Sequence, residues 1–356
     1  MSIKTETENK SYLQFSWSKL IFLFCGAIAV YFIGTKLIGA KEGWILARQL
    51  NPLFIILAIC FEILSYLGGS FMLRFIFQRI GYVIRFRDLF KMATIGYFAM
   101  HFFPIAGAGE VGLYMYLFRK KGISSGDMLF MFMIRGIFMY LALFILLFCS
   151  LFFVHSYPAI TETKRIVVFA LLVFAILFIF WVISRIRNKD KFYKSAENLF
   201  RFINWFGKIF AHRDLVSSEN ITRIINEIWT GFSLFKKDRK TAFRVILAGL
   251  IYWIGDAMCL YLIIAGFGYN LGFGPLFFTY SVTTIASLIT FIPGGLGINE
   301  SVSTLLLIGF GIPASPAVFS VLIYRLISFW LIMPIGFLSF LALKKSSARM
   351  SKLENS

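Results

Sequence analysis

Charge is scarce in this sequence: only 15% of its 356 residues are Asp, Glu, Lys or Arg, and only 17 of those are acidic. A soluble domain carries about 25% charged residues. Apolar residues make up 59% of the chain instead, and its mean hydropathy is +0.80. This composition excludes a soluble domain and indicates an integral membrane protein.

Cysteine is also rare, and the four cysteines lie far apart, each inside an apolar run. That spacing excludes a disulfide framework and a C-x-x-C metal site. No phosphate-binding loop of the G-x-x-x-x-G-K-[ST] kind occurs. The longest polar segment, 185–240, has 56 residues, whereas a typical autonomous domain has roughly 100–150. We therefore expect no soluble catalytic domain, no bound cofactor or metal, and no nucleic-acid partner.

Six apolar windows are long enough to span a bilayer, which takes about 20 residues. They are 20–39, 53–77, 128–154, 166–184, 242–266 and 317–343. Two further apolar regions, 89–118 and 275–310, are interrupted by proline and glycine, so we expect each to form a hairpin of two short helices that enters and leaves by one face. The predicted fold is all-α: a polytopic transmembrane bundle of about six full spans plus two broken re-entrant hairpins.

Basic residues predict the orientation. Lys and Arg number 27 in the segments expected on one face and five in those expected on the other, so the positive-inside rule puts both termini in the cytoplasm. The predicted organisation is a cytoplasmic N-terminus (1–19), a first membrane half (20–184), a basic amphipathic cytoplasmic connector (185–241), a second membrane half (242–343) and a cytoplasmic tail (344–356). If each hairpin instead formed two full spans, both termini would still lie on the same side of the membrane. A bundle with ten crossings therefore stays an alternative.

The connector contains two amphipathic stretches. One carries Phe192 and Leu199 on its apolar stripe, and the other carries Ile225, Ile228 and Phe232. Two interpretations are open: helices that lie in the interface and bind anionic lipid at the cytoplasmic face, or a connector that lies on the bundle. We favour the second.

The two hairpins are similar in sequence, and both carry charges. The first has Pro104, Gly107, Gly109 and Glu110, with Arg135 in the next span; the second has Pro293, Gly294, Gly295, Gly297 and Glu300, with Arg325 in the next span. Glutamate and arginine are 25 residues apart in both. Glu62 and Asp256 precede the two glutamates by 48 and 44 residues, each within an apolar span. The pattern predicts an inverted repeat, which places a substrate site near the bilayer midplane.

Ionisable side chains inside a membrane are costly, so they normally face the interior and are paired. The predicted substrate-binding set is Glu110, Glu300, Arg135, Arg325, Glu62, Asp256, Gly107, Gly109, Pro293, Gly294, Gly295 and Gly297. The alternative is that the Glu–Arg pairs only fasten each hairpin to its neighbouring span. We favour function, because a structural pair would not also need a glycine-rich break beside each carboxylate.

The runs FPIAGAGE (103–110), GIS (122–124) and PGGLGINE (293–300) resemble motifs of the lysylphosphatidylglycerol synthase transmembrane family. The likeness extends over nearly the whole chain. It implies translocation of a phospholipid, aminoacylated or not, or of another lipid-linked substrate, across the bacterial inner membrane. The soluble synthase domain is absent, so a separate lipid-modifying enzyme is a candidate partner. Ile105 and Asn299 depart from the family pattern, which leaves the headgroup open.

Three classes of function are open. A lipid flippase or transporter without enzymatic activity explains both the repeated charges and the broken helices. A membrane-embedded transferase that acts on a polyprenyl or phospholipid substrate could use paired carboxylates as a general base. An accessory subunit would need neither feature. We therefore expect the flippase and keep the transferase as the alternative.

Overall fold

A computed structural model describes residues 50–102, 108–118, 122–154, 188–211, 218–290 and 292–353, with single positions at 173, 177, 180 and 184. The chain divides into two compact units, Met1–Arg48 and Gln49–Ser356. The first unit lies outside the described residues. Helices account for nearly all of the described part of the second, which contains no strand.

The helices are numbered in chain order. They are α1 (Pro52–Arg79), α2 (Phe86–Phe102), α3 (Ala108–Phe118), α4 (Ser125–Val154), α5 (Lys189–Ala211), α6 (Ser218–Lys236), α7 (Arg239–Gly266), α8 (Phe273–Ile289), α9 (Ile298–Gly309), α10 (Ala314–Arg325) and α11 (Ile332–Leu353). A short 3₁₀ turn, Pro293–Gly295, precedes α9, and a π-helical turn, Leu326–Trp330, joins α10 to α11.

Four apolar helices are long enough to cross a membrane: α1, α4, α7 and the continuous stretch Ala314–Leu343. They confirm the predicted spans 53–77, 128–154, 242–266 and 317–343. The predicted spans 20–39 and 166–184 lie outside the described residues, apart from single positions in the second. The protein is therefore a multi-pass helical membrane protein.

The centre of the bundle is the antiparallel pair α1 and α7. At one end the Asn51 backbone N–H donates to the Gly266 carbonyl at 3.3 Å, and at the other end Arg79 Nε lies 3.1 Å from an Asp238 oxygen. A β-carbon at Gly68 would lie 2.7 Å from the Tyr252 nitrogen on the facing helix. Small residues at a crossing let two membrane helices approach closely, so the two halves meet here backbone to backbone.

The halves also exchange contacts. Helix α11, which ends the second half, packs on α2 of the first hairpin: Thr94 Oγ1 lies 3.1 Å from Ser339 Oγ, and a β-carbon at Gly336 would lie 2.6 Å from the Thr94 carbonyl oxygen. Helix α4, which follows the first hairpin, packs on α8 of the second, where Gly274 lies directly against the β-carbon of Phe153. The packing of the two halves is thus reciprocal.

The residues that flank each predicted hairpin lie close together. Tyr82, just before α2, donates its hydroxyl to Asp127 at 2.7 Å, in the first turn of α4 after the hairpin. In the second hairpin, the ring of Phe278 near the start of α8 lies 6.0 Å from that of Phe310, just after α9. The break of the first hairpin, 103–107, lies outside the described residues.

Helix α6 of the connector packs on α4 of the bundle. Ile225, Ile228 and Phe232 of α6 are buried, and the Phe232 ring contacts Phe130 of α4 with centroids 5.1 Å apart. Glu227 Oε2 accepts the Gly126 backbone N–H at 2.9 Å.

The residues predicted for the apolar stripe on α5 differ in burial. Phe192 is buried, but Leu199 is 54% exposed and Phe200 is buried in its place. Because α5 is covered on one side by the aromatic residues of α6, such as Trp229 against Phe192, the buried face depends on that contact rather than on the helical period alone.

Candidate substrate cavity

A cavity of about 150 Å³ lies between α1, α2, α4, α7, α8, α10 and the break of the second hairpin. Its polar lining combines two arginines, one carboxylate, six tyrosines and small polar groups: Arg135, Arg325, Asp256, Tyr66, Tyr97, Tyr140, Tyr252, Tyr280, Tyr324, Thr284, Ser287 and Asn299. Residues from both membrane halves of the chain therefore face one space.

The break of the second hairpin is a glycine turn held by Arg325. Gly294, Gly295 and Gly297 have φ angles of 65°, 59° and 83°, a left-handed region in which glycine is unstrained. Arg325 Nη2 donates to the Gly294 carbonyl at 2.6 Å and Arg325 Nε donates to Glu300 Oε1 at 2.6 Å. One guanidinium thus fixes both sides of the turn.

Glu300 joins this turn to the helix that follows. Its Oε2 accepts the Gly297 backbone N–H at 2.7 Å, so the glutamate side chain caps the start of α9. The Arg325 side chain is only 5% exposed, and its guanidinium lies 4.5 Å from the ring centre of Phe329 in the π-helical turn. Such turns are frequent at functional sites, because they re-aim side chains within a helix.

The first half contains the corresponding ion pair. Arg135 Nη1 donates to Glu110 Oε1, and the Tyr114 hydroxyl lies 3.4 Å from the same guanidinium nitrogen. Tyr114 in turn donates to the Met92 carbonyl at 2.8 Å. The Glu110 carboxylate lies directly against the backbone of Gly96, where a β-carbon would overlap it. Both predicted Glu–Arg pairs are therefore formed.

Asp256 is the carboxylate at the cavity. Tyr280 donates its hydroxyl to Asp256 Oδ2 at 2.6 Å, and Tyr324 donates to Asp256 Oδ1 at 2.8 Å. The carboxyl of Glu62, on the facing helix α1, lies in contact with that of Asp256. Both acids are buried, with 5% and 6% of their surface exposed.

Besides the Tyr66 hydroxyl on α1, two polar atoms in the cavity wall have no hydrogen-bond partner within the described part of the chain. They are Ser287 Oγ, near the end of α8, and Asn299 Oδ1, in the first turn of α9. Buried polar atoms are costly unless they are hydrogen-bonded. Their positions beside the hairpin break indicate a place for water or for a polar ligand.

The predicted set separates into three groups. Arg135, Arg325, Asp256, Gly294 and Gly295 line the cavity. Glu110, Glu300 and Glu62 stand behind this lining and contact its charged members. Pro293, Gly297 and Gly109 are placed at the helix starts beside the two breaks, and Gly107 lies outside the described residues.

Sequence reasoning missed the tyrosines. Tyr280 and Tyr324 bind Asp256, and Tyr252 and Tyr66 line the cavity from the two central helices. The only signal is a phenol inside an otherwise apolar span, and Tyr324 stands directly before Arg325. In the residues that the structure describes, no group of three or more His, Cys, Asp and Glu is arranged to hold a metal ion.

The sequence profile of the lysylphosphatidylglycerol synthase TM region matches residues 17–336. A UPF0104 membrane protein of Methanocaldococcus jannaschii is 26% identical over 332 residues, which cover 91% of this chain and 93% of the relative. A UPF0104 membrane protein of Methanothermobacter thermautotrophicus is 23% identical over 298 residues, 81% and 85% of the two chains. One from Pyrococcus horikoshii is 30% identical over 148 residues, 40% and 43%. These relatives are archaeal, so the bacterial inner membrane stays a prediction.

Proposed function

Because the chain belongs to the lysylphosphatidylglycerol synthase transmembrane family, we propose that it moves a phospholipid or a lipid-linked substrate between the leaflets, and that the substrate's phosphate is bound in the central cavity. The observation that carries the proposal is the presence of Arg135 and Arg325, one from each half, in the wall of that one cavity.

The electrostatics favour an anionic group. A guanidinium has five N–H donors and binds phosphate bidentately. Arg325 uses two contacts for Glu300 and Gly294, which leaves donors for a ligand, and the unpartnered Ser287 hydroxyl stands nearby in the wall. The start of α9 adds the positive end of a helix dipole beside the break.

The size of the cavity favours a headgroup rather than a whole lipid. Pockets that hold drug-sized ligands have volumes of about 300–1,000 Å³, and this cavity has about 150 Å³. A phosphate fits, whereas acyl chains do not. The chains of a transported lipid would therefore stay in the bilayer while the polar head passes between the halves.

In this proposal the two hairpins enter from opposite faces of the membrane, and the halves form an inverted repeat. The reciprocal packing of α11 on α2 and of α4 on α8 supports that arrangement. Inverted repeats let one half rock against the other around a fixed site, which would open the cavity to each leaflet in turn. Anionic lipid at the cytoplasmic face is a proposed further partner of the basic connector.

The test is reconstitution of purified protein into phosphatidylcholine vesicles that contain a trace of fluorescent phosphatidylglycerol, with dithionite quenching of the outer leaflet. The fraction of probe that becomes accessible from the inner leaflet reports translocation. Chemical analysis of the recovered lipid tests the transferase alternative, which requires a covalently changed lipid.

Arg135→Gln and Arg325→Gln are the informative variants, and Arg74→Gln is the matched control because Arg74 is exposed on α1 and does not line the cavity. A lost charged hydrogen bond is worth about 1.5–3 kcal/mol, so each cavity variant should lower the rate per folded molecule by about tenfold or more. Equal rates for all three variants would contradict the proposal.

A further inference from the structure

The paired acids Glu62 and Asp256 stand apart from the Glu–Arg pairs. They lie where α1 and α7 cross at the centre of the bundle, one on each helix, and their carboxyls are in contact. Both arginines of the cavity are bound to other carboxylates, Arg135 to Glu110 and Arg325 to Glu300. Neither Glu62 nor Asp256 therefore has a cation of its own within the described part of the chain.

Two adjacent carboxylates inside protein repel each other strongly, since the dielectric there is low. Such pairs hold one proton between them rather than carry two charges. In addition to its contact with Asp256, Glu62 has a buried Oε2 atom with no hydrogen-bond partner in the described residues. A carboxyl oxygen in that position is free to take up a proton.

The surroundings of the pair are mostly phenolic. The titratable or charged groups that face it from the packed helices are Tyr66 on α1, Tyr97 on α2, Tyr252 and Cys259 on α7, Tyr280 on α8, and Tyr324 and Arg325 on α10. Arg325 is the one cation among them. Tyr280 and Tyr324 already donate to Asp256, so the site for a further proton is on Glu62.

We propose that the Glu62–Asp256 pair is the proton site that couples transport to the proton gradient. This inference rests on the proposed function. The pair with one proton carries one negative charge beside the cavity, which opposes entry of a phosphate. Uptake of a second proton neutralises the pair, and the phosphate then meets only the arginines. Proton and anionic headgroup are therefore carried in the same direction.

The location of the pair gives the coupling a structural route. Gly255 and Ser65 bring the two helices into backbone contact one turn or less from the acids: a β-carbon at Gly255 would lie 2.8 Å from the Ser65 nitrogen. A rocking motion of the halves must pass through this crossing, and it changes the separation of the two carboxyls. Separated carboxylates no longer share a proton, so the motion and the release of the proton are linked.

The experiment imposes a pH gradient of one unit on the proteoliposomes described above, with the pH dye pyranine inside. For one proton per lipid, a tenfold proton ratio can bias the labelled phosphatidylglycerol between the leaflets by up to about tenfold. We expect wild-type protein to show this bias together with movement of protons from the acidic side of the vesicle membrane to the alkaline side. Glu62→Gln should reduce the ratio of rates with and without the gradient to about one.

Glu197→Gln is the matched control, because Glu197 is exposed on α5 and should keep the wild-type response. Translocation that ignores the gradient and moves no protons would overturn the coupling and leave the proposed function standing. A response to a sodium gradient at equal pH on both sides would assign the site to Na⁺ instead. Absence of any translocation would overturn both.

A second measurement does not depend on transport. Infrared difference spectra of the purified protein, recorded while the pH is changed, should contain the C=O band of a protonated carboxyl that Glu62→Gln removes and Glu197→Gln keeps. Identical spectra for wild type and Glu62→Gln would show that the pair holds no proton and would overturn the proposal. Thermal stability of the same samples shows whether each variant is folded.

Discussion

Glu300 accepts a hydrogen bond from Arg325 at 2.6 Å, across 25 residues of chain. The same separation joins Glu110 to Arg135 in the first half. In both pairs the arginine lines the cavity and the glutamate stands behind it. The glutamate therefore orients a cation towards the cavity, and the structural role and the proposed functional role belong to the same contact.

The first prediction separates these roles. Glu110→Gln leaves Arg135, whose side chain is 14% exposed, without its partner, and breaking a buried pair costs about 3–5 kcal/mol. The double variant Glu110→Gln with Arg135→Met should recover much of that stability, because neutral side chains of similar volume replace buried ion pairs at little cost. The double variant should nevertheless fail to translocate lipid, because it lacks the cavity arginine. Thermal unfolding and vesicle assays on the same preparations measure both effects; recovered transport in the double variant would make the pair purely structural.

The second prediction concerns the crossing of α1 and α7. Gly255→Val should destabilise the protein strongly, since a β-carbon there would lie 2.8 Å from both the Phe61 carbonyl oxygen and the Ser65 nitrogen. Backbone atoms cannot move aside as a flexible side chain can. Gly136→Val is the control, because Gly136 of α4 has open space around its α-carbon. Equal melting temperatures for the two variants would contradict the close approach of the helices.

The third prediction is topological. In a background without native cysteines, Lys237→Cys before α7 and Asn270→Cys after it should react with a membrane-impermeant maleimide from opposite sides. Helix α7 is long and apolar enough to cross the bilayer, and both positions are outside it. The positive-inside rule puts Lys237 in the cytoplasm. Labelling of both positions from one side would contradict the predicted orientation.

The fourth prediction concerns acid stability at the end of the bundle where α1 ends and α7 begins. Hydrogen bonds from the Thr241 backbone N–H and hydroxyl, together with the nearby Arg79 guanidinium, lower the pKa of Asp238. A carboxylate with a lowered pKa stabilises the fold above its unfolded pKa of about 3.9, and this contribution is lost as the pH falls through the folded pKa.

Asp238→Asn should therefore show a smaller loss of melting temperature than wild type when the pH is lowered from about 5 to below about 3.9. The measurement is thermal unfolding in detergent at a series of pH values. Asp190→Asn, at the exposed start of α5, is the control and should follow the wild-type curve. If the melting temperatures of wild type and both variants fell in parallel with pH, Asp238 would not contribute to the acid transition.

Much of this protein follows from the sequence alone. The apolar windows fixed four spans to within a few residues, because about 20 apolar residues have no alternative to a helix in lipid. The equal Glu–Arg separations in the two halves predicted both ion pairs, since a charge inside the membrane must find a partner. The break at Pro293–Gly295 was visible because proline and glycine interrupt helices.

Tertiary structure alone decided which of these groups meet. Nothing in the spacing of Glu62 and Asp256 shows that their carboxyls touch, since the contact depends on how α1 crosses α7 at Gly68 and Gly255. The tyrosines of the cavity were likewise hidden, because a phenol in an apolar span has the same periodicity whether it packs in the core or donates to Asp256. Local hydropathy sets which segments are helices in the membrane, whereas the site arises from contacts between segments nearly 200 residues apart.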